Sequence, residues 1–245
     1  EANRLLGRFA VAAVVAFPGT GLRREVLTGN PVRQTVRDLS AADSRQTLRE
    51  RMGLGPTPLL LAFGGSLGAR RINGAVVEMV EGWAGGDIAV HHVIGRRDWH
   101  AHVANLPAPA RQVDYRPVEY EKDLPELLAA ADLVICRAGA TTVAELTVIG
   151  RPAVLVPLPG APRDHQRLNA ESLVAAGAAV LVTDADLVGT RLAVEVQSLL
   201  EDPDTLEEMG ERSRTAGRAD AADLVADLVG RVAAGEPVSP EHGRV

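Results

Sequence analysis

Aromatic side chains make up only 3% of this 245-residue chain, too few to line a groove on which single-stranded nucleic acid stacks its bases. Positive charge is also short. Against 32 Asp and Glu stand 26 Lys and Arg, a formal net charge of -6, so no general polyanion-binding surface is expected and any phosphate recognition must be local. Nucleic acid is therefore not a partner. The lone cysteine, Cys136, excludes an internal disulfide and a cysteine-rich metal site, and it fits a reducing compartment. Long apolar runs are missing too: none reaches the length of a transmembrane helix, and no signal-peptide pattern is visible. What the chain has instead is a globular 46% of hydrophobic residues, led by Ala, Val and Leu.

Those residues are arranged in short uninterrupted runs. Leu59-Leu60-Leu61-Ala62-Phe63, Ile88 to Ile94, Leu133-Val134-Ile135-Cys136, Ala153-Val154-Leu155-Val156 and Ala179-Val180-Leu181-Val182 read as strands, with a weaker one around Gln112 to Tyr115. Apolarity without alternation suits strands covered on both faces of a parallel sheet. Helices are expected between them at about 70–83, 96–104, 123–131, 141–149 and 165–176, the rhythm of a doubly wound α/β domain. After about residue 184 three helices follow, the last from Ala221 to Val232.

The ends read differently. Asn3 to Phe9 looks helical and Val11 to Phe17 looks like one strand, which together cannot bury a core, so residues 1–28 are expected to be a remnant of a preceding domain. Residues 29–35, with Gly29-Asn30-Pro31, suit a connector, because Pro31 pushes Asn30 into extended geometry. Residues 36–235 form the main domain, and 236–245, rich in Pro and Gly, an expected disordered tail.

Three loops carry the chemistry. Gly64-Gly65-Ser66-Leu67-Gly68-Ala69 joins a strand to a helix, where glycines let the backbone approach a phosphate and the helix N-terminus stabilises its charge. The Gly-Lys-Ser/Thr ending of a nucleoside-triphosphate loop is missing, and so is a full Gly-x-Gly-x-x-Gly. Gly64 to Gly68 also matches the Gly-x-Ser-x-Gly elbow of α/β-hydrolases, with Asp132 or Asp164 and then His165 as candidate partners of Ser66. Against that reading, only one weak strand precedes the elbow, and Asp164 adjoins His165 too closely to orient it.

The second loop, Arg137-Ala138-Gly139-Ala140-Thr141-Thr142-Val143-Ala144-Glu145, opens another helix. A carboxylate in its first turn, Glu145, can accept from both hydroxyls of a ribose; equally, Thr142 to Glu145 can be a ligand-free capping box. Arg137 reads as a solvated loop charge. The third loop, Pro157 to Ala170, gathers Asp164, His165, Gln166 and Asn169 at a helix start, where Asp164 can simply be the cap.

Taken in order, Phe63 to Ala69, Arg137 to Glu145, and Asp164-His165-Gln166 with Asn169-Ala170 resemble the donor domain of the MurG-type GT-B N-acetylglucosaminyltransferases, and Gly29-Asn30-Pro31-Val32-Arg33 resembles that family's connector. The resemblance implies a Rossmann-like GT-B C-terminal domain, a remnant of the N-terminal domain, and C-terminal helices. It implies that Ser66, with Gly65 and Gly68 more weakly, contacts the donor diphosphate and that Arg33 adds positive charge. Ala140, Thr141 and Thr142 would line the nucleotide site, Glu145 would bind the ribose, and Gln166 the GlcNAc hydroxyls. The uracil would be read by backbone near Tyr120-Glu121, although the family often has an apolar residue where this chain has Glu121. The implied partners are UDP-GlcNAc and, in the intact enzyme, a lipid-linked acceptor, with the family's other half touching the inner face of the bacterial cell membrane from the cytoplasm.

Inverting transfer also needs a base, and none is convincing here. His165 is a candidate by chemistry alone, while His91, His92, His100 and His102 fall on a strand or an exposed helix. No cofactor is implied. Asp184-Ala185-Asp186 has the form of a metal-binding Asp-x-Asp, but Asp184 reads more simply as an N-cap, so no metal is expected.

Overall fold

The computed structural model describes residues 5–17, 20–40, 43–65, 69–105 and 107–238, apart from the side chains of Asp43, Ser44 and Arg163. Its centre is strand β3 (Leu59–Phe63), where five successive side chains are buried. Such a strand needs cover on both faces and hydrogen bonds on both edges. Parallel neighbours supply the edges: β4 (Ile88–Val93) and β5 (Val113–Val118) on one side, β6 (Leu133–Cys136), β7 (Ala153–Leu155) and β8 (Ala179–Leu181) on the other. The order β5-β4-β3-β6-β7-β8 means that the chain moves outward from β3, returns, and moves outward again. Between β3 and β6 it reverses direction, and in open parallel sheets that crevice is where ligands bind.

Alternate residues of β3 serve different layers. Leu59, Leu61 and Phe63 meet α2 (Asp43–Arg51), α5 (Leu124–Ala130), α6 (Ala140–Ile149) and α7 (His165–Ala175) through Leu48, Leu128, Leu146 and Leu173. Leu60 and Ala62 face α3 (Arg70–Glu81), α8 (Gly189–Leu200) and α9 (Pro203–Ala216) through Ile72, Met79, Leu192 and Met209. The remaining helices are α1 (Gln34–Asp38), α4 (Arg96–Ala104) and α10 (Ala221–Ala233).

The sheet, its order of elements and the three closing helices agree with the sequence reading. The start of the chain departs from it. The strand expected over Val11 to Phe17 is only β1 (Ala13–Val15), and it pairs in parallel with β2 (Glu25–Leu27), which three residues without alternation did not announce. Residues 3 and 4 of the expected first helix, and residues 239–245 of the expected tail, lie outside the described residues. Asp184 is not an N-cap: the next helix starts at Gly189 behind Val188, because the turn after β8 uses residues 183–187.

Candidate functional site

Two helices open at the crevice, and the sequence leaves both N-termini without a side-chain cap. Register sets Phe63 beside Cys136, so the loops leaving β3 and β6 start next to each other. The first folds tightly back. A Cβ on Gly64 would collide with the Ala69 Cβ, and Gly65 has φ +97. Both positions therefore require glycine. Ser66, Leu67 and Gly68 lie outside the described residues. Helix α3 then begins behind Ala69 and α6 behind Gly139, neither of which has a side chain able to cap. The first intrahelical bonds run from Asn73 to the Ala69 carbonyl at 2.8 Å and from Val143 to the Gly139 carbonyl at 2.9 Å. The amides of residues 70–72 and 140–142 precede those bonds, and two positive helix ends share one crevice.

The α6 N-cap is Gly139, so the capping box from Thr142 to Glu145 does not form. Glu145 is in the second turn of α6, not the first, because the helix starts at Ala140. It is buried there and pairs with Arg33 of the connector: Arg33 Nη2 and Nε donate to the same oxygen, Oε1, at 2.8 and 3.2 Å. Arg33 itself is 57% exposed. One carboxylate oxygen is thus committed, and Oε2 has no partner among the described residues.

The third loop is tied to the second. Asn169, buried in α7, donates from Nδ2 to the Ala138 carbonyl at 3.0 Å. Gln166 accepts from the Leu158 amide at 3.0 Å, which leaves its own amide hydrogens for a ligand. His165 is exposed, and its Nδ1 lies 2.8 Å from the Pro162 carbonyl. A carbonyl only accepts, so Nδ1 carries the hydrogen and Nε2 is the free lone pair of the neutral ring. No described carboxylate orients that ring. Asp164 enters the helix in the left-handed region with φ +52 and makes no side-chain cap bond. Asp132 lies before β6, at the other edge of the sheet, where Arg45, Arg49 and the Leu59 amide hold it. Among the described residues the hydrolase alternative therefore has no carboxylate in place.

Arg137 is not a solvated charge. Its side chain is 13% exposed, donates to the Val156 and Pro157 carbonyls at 3.2 and 3.1 Å, and meets Asp184 Oδ1 at 2.6 Å. Arg71 from the start of α3 reaches the same turn, donating to the Asp184 carbonyl at 2.7 Å and the Leu187 carbonyl at 3.2 Å. One pair of arginines thus ties the segments after β6, β7 and β8 to the α3 end. The other carboxylate of the Asp-x-Asp, Asp186, accepts from the Thr183 hydroxyl at 2.6 Å. Sequence reasoning missed this clamp.

A second network braces α3 from behind. Asn73 Nδ2 donates to the Ile94 carbonyl at 2.9 Å and to Asp98 at 3.3 Å, which turns its Oδ1 toward His92 Nε2, 3.2 Å away. His92 Nε2 must then donate, and Nδ1 accepts from the Tyr115 hydroxyl at 2.9 Å. Tyr115 in turn accepts from His102 Nε2 at 3.1 Å. The chain of donors ends on Asp98, which also receives Arg70 of α3 at 2.9 Å. Burial holds the His92 pKa down at about 3, with the charges of His102 and His91 acting the same way.

Glu121 turns its side chain inward. Its Oε2 sits 3.2 Å from His91 Nε2, and its Oε1 accepts from the Asp123 amide at 2.9 Å. Burial lowers the His91 pKa, while Glu121 opposes that shift. Neighbouring Tyr120 is exposed, with the Arg96 guanidinium 5.1 Å from its ring centroid.

Fold and crevice together define a doubly wound, Rossmann-like domain of the kind found as the C-terminal half of GT-B proteins. The family model described as "Glycosyltransferase family 28 C-terminal domain" matches residues 59–225, and the chain belongs to that family. The UDP-N-acetylglucosamine--N-acetylmuramyl-(pentapeptide) pyrophosphoryl-undecaprenol N-acetylglucosamine transferase of Anaeromyxobacter sp. (strain Fw109-5) is 39% identical over 99% of this chain and 64% of its own length. The relative of the same description from Nitrosococcus oceani is 42% identical over 96% of this chain and 64% of its own. Among solved structures, Acinetobacter baumannii MurG superposes with a TM-score of 0.78 at 28% identity, covering 94% of this chain and 63% of that one. The chain therefore spans less than two thirds of the length of these relatives.

Proposed function

We propose that residues 36–235 are the donor-binding part of an inverting glycosyltransferase that moves GlcNAc from UDP-GlcNAc to lipid I, the undecaprenyl-pyrophosphoryl-MurNAc-pentapeptide of peptidoglycan synthesis. Residues 29–35 are its connector, and residues 1–28 belong with the acceptor part. The observation that carries this reading is the pair of uncapped helix N-termini at the β3/β6 crevice, beside the Arg33–Glu145 pair. In this reading the amides at residues 70–72 and 140–142 hold the diphosphate and stabilise UDP as it departs. Ser66 adds a hydroxyl donor and Arg33 a positive charge. Glu145 accepts from the ribose hydroxyls through Oε2, with Arg33 fixing its orientation. Thr141 and Thr142 flank the nucleotide, the Gln166 amide donates to the sugar, and backbone at Tyr120-Glu121 faces the base. The general base belongs to the acceptor part, and His165 Nε2 is the alternative within this chain. In this reading the acceptor part makes a peripheral contact with the inner membrane face; among the described residues no helix is long and apolar enough to cross a membrane.

Calorimetry tests this. UDP is expected to bind the 245-residue chain, and Glu145→Ala to weaken binding by about 1–3 kcal/mol, the worth of charge-assisted hydrogen bonds to a buried carboxylate. A folded sample that takes up no UDP at millimolar concentration rules the donor reading out.

A further inference from the structure

At the opposite edge of the sheet, arginines gather around too little negative charge. Asp132, at the start of β6, takes Arg49 Nη1 at 2.7 Å and the Leu59 amide at 2.7 Å on Oδ2, and Arg45 Nη2 on Oδ1. Both of its oxygens are engaged. Arg151, just past α6, and Arg214, in the last turn of α9, bring two further guanidinium groups to the same place. Arg214 makes one long bond, 3.5 Å to the Ile149 carbonyl. It closes over Gly150, where φ is +75 and a Cβ would lie 2.9 Å from Arg214 Cζ. The Arg151 side chain makes no hydrogen bond or ion pair among the described residues, and its Nε is buried without a partner, as is that of Arg45.

Arg45, Asp132, Arg151 and Arg214 line one cavity of about 530 Å³. Glu207 and Glu211 stand on its α9 rim, exposed and without an ion pair to any of these arginines. Burial, and next the Arg45 charge, lower the Arg151 pKa to about 10; Arg214 and Arg49 act the same way and only Asp132 opposes them. Arginine stays charged even so, and a half-buried guanidinium with its Nε out of water and like charges beside it is destabilised. Planar guanidinium forks match phosphate oxygens, two bonds at a time.

We propose that this cavity is a second anion site, separate from the donor crevice, which takes the dianionic phosphate of a phosphate monoester or diphosphate between Arg151, Arg214 and Arg45. The volume leaves room for more than the phosphate itself. Helix α6 runs from the donor crevice at Ala140 to this cavity at Gly150 and Arg151, so an occupant here would bear on the helix that carries Glu145.

The probe is inorganic pyrophosphate, added to the full chain with UDP-GlcNAc in excess to fill the donor crevice, since a diphosphate esterified at both ends has no dianionic terminus for this cavity. The ¹H–¹⁵N signals of the Arg151 and Arg214 Nε–H groups should shift, and the thermal midpoint should rise. In Arg151→Gln the response should need about tenfold more pyrophosphate, while the midpoint without pyrophosphate stays at or above the parent's, because a half-buried charge crowded by Arg45 and Arg214 is gone. Arg214→Gln, which gives up one long bond, is the second variant. Cosedimentation with phosphatidic acid–phosphatidylcholine vesicles, but not with phosphatidylcholine alone, would assign the phosphate to a lipid headgroup. A pyrophosphate response without cosedimentation would assign it to a soluble ligand. No response to either, or Arg151→Gln responding as strongly as the parent, overturns the proposal.

Discussion

Lowering the pH from 7.5 to 5 should destabilise this chain by on the order of 2 kcal/mol through His92 alone. The side chain is fully buried, and its pKa is about 3 in the fold against 6.5 in the unfolded chain. A histidine with a depressed folded pKa is neutral when folded but takes a proton when unfolded. The stability it contributes is therefore complete above pH 6.5 and is lost as pH falls from there toward 3. At about 1.4 kcal/mol per pH unit, the whole window is worth on the order of 5 kcal/mol. His91 and His102, also lowered, add to it with the same sign. Asp98 acts with that sign too, further down: its two arginines outweigh burial and hold its pKa low, so its contribution goes at the acid end. His92→Gln keeps a donor and an acceptor for Asn73 and Tyr115 but does not titrate. Urea unfolding should show the parent losing stability between pH 7.5 and 5 more steeply than His92→Gln by about the amount given. Parallel curves would mean that His92 is not held neutral.

Breaking the Arg137–Asp184 pair should cost about 3 kcal/mol, the low end for a buried ion pair because both partners keep a little solvent contact. Asp184→Ala leaves Arg137 with only the Val156 and Pro157 carbonyls. Asp186→Ala, at an exposed site two residues on, should cost less than about 1 kcal/mol. UDP affinity should fall with Asp184→Ala as well, since the clamp sets the loops after β6 and β7. Equal losses for the two aspartates, or rescue of either by manganese, would return them to the role of a metal-binding pair.

The sheet was legible because buried parallel strands announce themselves: Leu59 to Phe63 and Leu133 to Cys136 admit no polar side chain, and glycines directly follow the first. The crevice was legible for the same reason, since its loops are the ends of those strands. What escaped depends on partners far away in sequence. Arg137 looks like any loop arginine until Asp184 folds beside it, and the Thr142–Glu145 box looks complete until Arg33, 112 residues earlier, takes the carboxylate. Strand β2 escaped because three residues hold too little pattern. The basic cavity escaped because Arg45, Arg151 and Arg214 come from three separate segments.

The central claim is that UDP binds at the two helix ends where the strand order reverses. Amide chemical-shift mapping of the ¹⁵N-labelled chain during a UDP titration tests it directly. The account predicts the largest shifts at Gly65, at residues 70–72 and at residues 140–142, with smaller ones at Glu145 and Gln166. Saturable binding that leaves those amides unmoved and shifts residues elsewhere would contradict it.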